Sequence, residues 1–318
     1  GALGMSGLQP GAFDAQRTWN PSIDVGGGYL TPNNLGNSEL KPERSTEIEA
    51  AVEAGLFGGR LGLEVVYFNQ TTNDALLPIK PSAGSGFTNS QLQNLGQLKS
   101  WGIEVSTNTR LIEREGLSVD LTVNPTYLKQ WVSDMGDVAD FRLGSRRRWQ
   151  SLHEGLWPGI WIAPIADPNQ PYKTTVPVDQ ITSINQISSN TLKNASGGDS
   201  LVVIGIPQPN KMIDFGAVVR VGPLTIQNVF EGAAGFVQSN ETLHLRMALK
   251  SNTLMAEVQK AVADPTTDPA TKARLVDEYG RKHNGIISNT IFDGDYLRWA
   301  ELTVAYRLPE SFTSSFGS

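Results

Sequence analysis

Side chains able to do chemistry are sparse in this chain. His153, His244 and His283 lie far apart, without the short spacing by which one helix or turn presents metal ligands. Asp134, Asp137 and Asp140 recur at every third position and offer hard oxygen donors that calcium takes. They lack the dense ligand pattern of an EF-hand loop. No G-x-S-x-G elbow, P-loop or dinucleotide fingerprint occurs, and Gly26-Gly27-Gly28 reads as loop flexibility. The expectation is therefore a protein that is not an enzyme, with no catalytic residue, metal or cofactor.

Residues suited to binding are easier to find. Arg146-Arg147-Arg148 sits beside Trp149 and offers charge-assisted hydrogen bonds to an anion; a solvated or internally paired cluster is the plainer alternative. Trp149, Trp157, Trp161 and Tyr172 crowd the same stretch. Such rings make platforms for sugars or for a partner protein, so these four are expected as ligand or lid contacts. Packing of the loop against itself accounts for them equally well. A third set, Glu104, Arg110, Asp120, Asn124, Asp214 and Arg220, mixes both signs of charge along alternating segments and is expected to face a wet lumen.

Those six residues depend on the elements that carry them. In Trp101–Leu111, Trp101, Ile103, Val105 and Leu111 share a face with Thr107 and Thr109, while Glu104, Ser106, Asn108 and Arg110 point the other way. Leu117–Val123 repeats the pattern, with Leu117, Val119, Leu121 and Val123 opposed to Ser118, Asp120, Thr122 and Asn124. Strand side chains switch faces at each residue, so each face is chemically uniform. The join Glu113–Gly116 is too short for a crossover helix, which makes the pair an antiparallel hairpin.

Seven such segments are expected: 46–54, 61–69, the two at 100–124, 213–221, 224–231 and 296–308. At 46–54 a helix competes, because Thr46 and Glu49 resemble a capping box. Alternation aligns Ile48, Ala50 and Val52, whereas helical spacing scatters them, and strand is preferred. Connections alternate between short, near 55–60, 113–116 and 222–223, and long, at 70–98, 129–211 and 232–294. Within the last, 241–263 reads as a helix, Thr271–Lys282 as another, and Asp264–Pro269 as the turn between them.

Composition narrows the class. Apolar residues make up 39% of 318, and 32 glycines bring the total near the globular range. The absence of cysteine excludes disulfides and thiolate zinc, and a net charge of −6 argues against nucleic acid as a partner. No apolar run approaches the roughly 20 residues of a spanning helix. Short joins at one end and long loops at the other are the pattern of an outer-membrane barrel. Segments of about 9–11 residues suffice to cross when tilted. Aromatics gather near strand ends, at Tyr67, Phe68, Trp101, Tyr127, Trp131, Tyr296, Trp299 and Tyr306, where a girdle would sit. A soluble or surface-bound β-sandwich is the rival. The fold expected is all-β: a partial transmembrane antiparallel β-barrel with long extracellular loops containing short helices.

Several runs resemble the C-terminal barrel region of SusC-like TonB-dependent outer-membrane transporters. Asn37–Glu47 (NSELKPERSTE) is similar to the family's entry into a barrel strand, and Leu61–Thr72 to the strand that follows. Asn94–Val105 resembles N-x-G-x-x-x-N-x-G-x-E-L, with Ser100 in place of the usual asparagine. Ile204–Pro209 and Asp293–Pro309 look like late-barrel elements, and Gln9-Pro10-Gly11 after Ser6-Gly7 like an upstream loop. The resemblance implies energised import of an oligosaccharide or peptide through a plugged barrel in the outer membrane of a Gram-negative bacterium. It implies as partners the lipid bilayer, a SusD-like surface lipoprotein and a TonB complex acting on the plug. Residues 1–318 are expected to be a fragment of one barrel domain, with plug and last strands lying elsewhere; a siderophore-type receptor is the alternative within the wider family.

Overall fold

The alternating segments become strands and pair in the order in which they occur. The computed structural model describes residues 1–94, 96–136, 138–143, 149–249, 253–282 and 285–309, and its main sheet is antiparallel with eight strands. These are β1 (Ala2–Leu8), β2 (Glu43–Leu56), β3 (Leu61–Asn73), β4 (Gln97–Arg114), β5 (Leu117–Asp134), β6 (Lys211–Val221), β7 (Leu224–Ala234) and β8 (Tyr296–Tyr306). Each pairs with its neighbours in sequence, so the sheet is a meander. The eighth strand beyond the expected seven is β1. Its small residues Gly4, Ser6 and Gly7 blur the alternation, and Ser6-Gly7, expected in a loop, lies inside it.

Segment 46–54 is strand, within β2. Ile48, Ala50 and Val52 pair across with Asn69, Tyr67 and Val65, a row that no single helix face could supply. The join expected at 113–116 is tighter, since Arg114 pairs with Leu117, and the one at 222–223 is the two-residue turn expected, with Val221 paired to Leu224. Gly116 at φ 73 and Gly222 at φ 55 provide the left-handed backbone these turns require. All short joins lie at one end of the sheet. At the other end the long loops carry a hairpin (Thr18–Asp24 with Gly27–Asn34), a small four-stranded sheet and three helices. The helix expected over 241–263 is two, α1 (Glu241–Ala248) and α2 (Thr253–Ala263), while α3 (Pro269–Lys282) covers the expected 271–282.

Faces stay uniform along each strand except where a bulge resets the phase. Such a shift falls between Arg110 and Ile112, so that Ile112 and not Leu111 lies opposite Val119 among the apolar residues. Another between Val229 and Phe230 brings Trp299 opposite Phe230 and Glu301 opposite Val229. Inside the central strand β5, Pro125 has no N–H to donate, and the β4–β5 pairing lapses between Glu104↔Thr126 and Thr107↔Val123. Side chains close the gap. Asn124 Oδ1 accepts the Thr107 N–H at 3.3 Å, and the Thr107 hydroxyl accepts from the Val123 N–H at 3.0 Å.

Among the described residues no second layer covers the apolar face. Ile48 is 57% exposed, Val52 69% and Val304 61%, which rules out the β-sandwich, whose inner faces bury one another. Close packing is found in the loops instead. Ile181, Ile184, Ile187, Met247, Met255, Val258, Val262, Val276 and Tyr279 form a buried cluster between the helices and the 178–187 segment.

Candidate functional site

The polar face of the sheet brings together all six residues expected to share it. Register places Arg110 opposite Asp120, Asp214 opposite Asn124, Arg220 opposite Ser118 and Glu104 opposite Thr126. Near the short-turn end three of them touch. Asp120 Oδ1 accepts from Arg110 Nε at 3.1 Å and Oδ2 from Arg220 Nη1 at 2.5 Å, while Arg110 Nη1 also donates to Glu113 at 3.1 Å. One carboxylate thus ties three adjacent strands together through charge-assisted bonds. Asn124 serves the backbone gap at Pro125, a role the sequence reading did not assign. Glu104 and Asp214 form no ion pair among the described residues.

The same face holds residues that the reading passed over. Arg298 on β8 donates from Nε to Glu231 on β7 at 3.0 Å and pairs with it through Nη2 as well. Arg298 escaped notice because the bulge at Val229/Phe230 puts it out of step with Leu302, Val304 and Tyr306. Glu47, Glu49, Glu53 and Glu64 on β2 and β3 also share this face, opposite Gln70, Phe68, Glu64 and Glu53 respectively. The signal was there: each falls on the polar phase of its strand. Gly102 on β4 sits under the Phe68 ring, and a Cβ built on it would lie 2.5 Å from Phe68 Cζ.

The aromatic loop residues separate into two kinds. Trp157 and Trp161 are buried, each 7% exposed, and Trp157 packs with Ile160 and Ile162 against Leu128 and Ile206. Trp149 and Tyr172 are half-buried. The Arg142 guanidinium lies 3.9 Å from the Trp149 ring centroid, a cation–π stack. Tyr172 Oη donates to Asp277 on α3 at 3.2 Å, and its burial, then the Asp277 carboxylate, push the phenol above its ordinary 10.0. Arg146–Arg148, Asp137 and His283 lie outside the described residues.

Among the described residues no three His, Asp or Glu side chains converge as metal ligands. Asp134 accepts the Gly136 N–H at 2.7 Å, and Asp140 meets His153 Nδ1 at 2.8 Å, so each is engaged locally. No helix is long and apolar enough to cross a membrane, among the residues described.

An antiparallel meander with one exposed apolar face, one ion-paired polar face and every long loop at one end is a wall of the outer-membrane barrel class. Residues 7–161 match the family model described as "TonB dependent receptor-like, beta-barrel". TonB-dependent receptor P3 of Formosa agariphila is 25% identical over 309 residues, covering 92% of this chain and 30% of that protein. TonB-dependent receptor SusC of Bacteroides thetaiotaomicron is 29% identical over 107 residues, covering 33% of this chain and 11% of that one. Among solved structures, the RagAB peptide transporter superposes with a TM-score of 0.73 at 18% identity, over 98% of this chain and 34% of that chain. The chain is similar to TonB-dependent receptors, SusC among them, and its eight-stranded sheet is an arc of a β-barrel of that kind. It spans about a third of the length of the relatives it matches over most of its own length.

Proposed function

We propose that this chain forms part of the wall of an outer-membrane importer that takes up an oligosaccharide or a peptide, driven by a TonB complex and capped by a SusD-like surface lipoprotein. The observation that carries this reading is the division of the sheet: Ile48, Val52, Leu302 and Val304 stand exposed on one face, while Arg110, Asp120 and Arg220 are bonded together on the other. In water the apolar face would be a large adhesive patch; against lipid it is the ordinary boundary of a barrel. The polar face then lines the lumen, with Glu104, Arg110, Asp120, Asn124, Asp214 and Arg220 on its wall. Pairing of every backbone group is obligatory in hydrocarbon, which gives the Asn124–Thr107 patch opposite Pro125 its purpose.

In this arrangement the long loops lie outside the cell and meet ligand or lid. Trp149 and Tyr172 retain accessible surface for that contact, whereas Trp157 and Trp161 act by building the loop that presents them. The family is one of transporters and receptors, and the work assigned to these residues is binding and passage. The test is uptake. Full-length protein would be isolated from native outer membranes in detergent, its co-purifying chains identified, and radiolabelled oligosaccharide and peptide pools offered to cells with and without the gene. Gene-dependent accumulation of one pool, abolished by a protonophore, is expected together with a lipoprotein partner. Recovery in the aqueous fraction, or accumulation unaffected by the protonophore, would overturn the reading.

A further inference from the structure

A groove of about 660 Å³ opens on the apolar face where small residues replace large ones. Its floor is the cross-strand row Pro125–Ile213–Gly232–Leu297, in which Gly232 contributes no side chain. Toward the short-turn end it is bounded by Phe215, Phe230 and Trp299, stacked at 5.0 and 6.0 Å between centroids. Toward the long loops the next row is Ile103, Tyr127 and Lys211, paired in that order across β4, β5 and β6.

Beyond the groove the same face becomes basic. Lys129 lies opposite Trp101, and Lys99 opposite Trp131. Lys99, Lys129 and Lys211 thus occupy one face of three adjacent strands, alternating with rings. Lys129 Nζ stands 5.7 Å from the Trp131 centroid, and Trp101 packs on Tyr127 at 5.5 Å. On β4, β5 and β6, positions on this face from the Lys211 row to the Lys99 row include no carboxylate, and none of the three lysines is in an ion pair among the described residues. Of the carboxylates of these strands, Glu104, Glu113, Asp120 and Asp214 point to the opposite side, and Asp134 lies opposite Gln97, beyond the Lys99 row.

Three lysines on a lipid-facing surface, without a protein counter-charge, sit well only at the polar boundary of the bilayer, where their stems lie along the wall and their ammonium groups reach the headgroups. We propose that the groove and the lysines together form a binding site for an acylated, phosphate-bearing lipid of the leaflet at the long-loop end. An acyl chain fills the groove between the Phe215–Phe230–Trp299 stack and Tyr127. The phosphate meets Lys211 and Lys129, with Lys99 as the outermost contact. Lysine suits this task as a mobile point charge at a headgroup. The proposal rests on the importer reading, which sets this face against lipid.

The experiment uses full-length protein, delipidated in detergent and reconstituted in phosphatidylcholine nanodiscs with or without bisphosphorylated lipid A. Bound lipid is counted by native mass spectrometry after release from the disc. Wild type is expected to retain lipid A over phosphatidylcholine, and the Lys99→Gln/Lys129→Gln/Lys211→Gln variant to retain it about a hundredfold less, each basic residue at a membrane surface contributing about fivefold. A matched exchange of loop lysines, Lys173→Gln/Lys260→Gln/Lys282→Gln, is expected to bind as wild type. In wild type, lipid A with a photoactivatable acyl chain is expected to label peptides containing Pro125, Ile213 and Leu297, a readout independent of how the variants fold. Equal retention of both lipids, equal loss in both triple variants, or labelling spread evenly around the wall would overturn the site while leaving the importer reading intact. Failure of the protein to enter nanodiscs at all would overturn both.

Discussion

The sheet and the loop layer solve the problem of burial in opposite ways. In the loops, Met247, Met255, Val258 and Val276 are enclosed by helices and by the 178–187 segment, as in a water-soluble domain. In the sheet, side chains of the same chemistry point outward, and Val52 at 69% exposure and Leu302 at 52% have nothing over them. The two regions belong to one chain and both use aliphatic side chains, so the difference lies in the solvent each is built to meet. Loops fold against water by the hydrophobic effect. Strands in lipid gain nothing from hiding leucine and are held by closed hydrogen-bond ladders and by polar groups kept on the far side.

The largest difference is expected when the same charge is placed on either side of one strand. Ala217 and Val218 are neighbours at the middle of β6; Ala217 faces Leu121 and Asn228 on the apolar side, and Val218 pairs with Asp120 on the polar side. Ala217→Arg is expected to lower folding stability in lipid vesicles by about 2–4 kcal/mol, the cost of a guanidinium at mid-membrane depth. Val218→Arg, beside an acid, is expected to be close to neutral. Urea titration of vesicle-inserted protein measures both. Equal costs at the two sites would mean that the faces are not solvated differently.

A second contrast removes volume from the loop core. Met255→Ala opens a cavity among Val258, Val276 and Ile181, and the expected loss is about 2–5 kcal/mol. Because that cluster has no member in the sheet, the loss should appear as rapid proteolytic cleavage within 241–282, with the barrel's resistance to unfolding in sodium dodecyl sulfate unchanged. Simultaneous loss of both would join the two regions into one cooperative unit.

Overpacking gives a smaller effect in the sheet. Gly102→Ala sets a methyl against the Phe68 ring and the Tyr127 carbonyl, both 2.5 Å from the new carbon, and is expected to cost about 1–3 kcal/mol. Phe68→Leu in the same chain should recover part of it. A double-mutant cycle in vesicles reads that coupling; independent, additive losses would place the fault in the backbone instead.

These contrasts also show what could be read from the sequence. Period-two alternation was enough for the faces of β2 through β7 up to each bulge, since a barrel wall repeats the same rule in every strand. It failed where a bulge inserts a residue. Leu111 was assigned the place that Ile112 takes, and Arg298 was left without its partner Glu231, because phase carries no memory across an insertion. It failed again at β1, whose glycines and serine give alternation no contrast. The ion-paired cluster of Arg110, Asp120 and Arg220 was legible as three residues of one face but not as one contact. Asp120 and Arg220 are a hundred residues apart, and only the sheet order makes them neighbours. Trp157 and Trp161 mark the opposite limit: a stretch of aromatics looks alike whether it serves a ligand or its own packing, and the fold directs these two inward.

Acid is expected to have the smallest effect. Asp268 caps α3, accepting the Thr271 and Ala270 N–H groups at 2.8 and 3.0 Å, and its Thr271 bonds hold the carboxyl below its ordinary 3.8. Asp264 is held low in the same way by Thr266. A carboxyl lowered in the folded state contributes stability that is full above the unfolded value and is lost as pH falls through the folded one. Acidification below about pH 4 is therefore expected to loosen the turn between α2 and α3, read as faster hydrogen exchange at Ala270 and Thr271. Asp268→Asn keeps a capping oxygen without a titrating proton, so it should match wild type at neutral pH and lose its share of the acid response. Asp268→Ala should exchange fast at both. If the asparagine variant loosened with acid as wild type does, the carboxylate at this cap would not be the group that titrates, and the loop layer's sensitivity to pH would have to come from a contact deeper in its core.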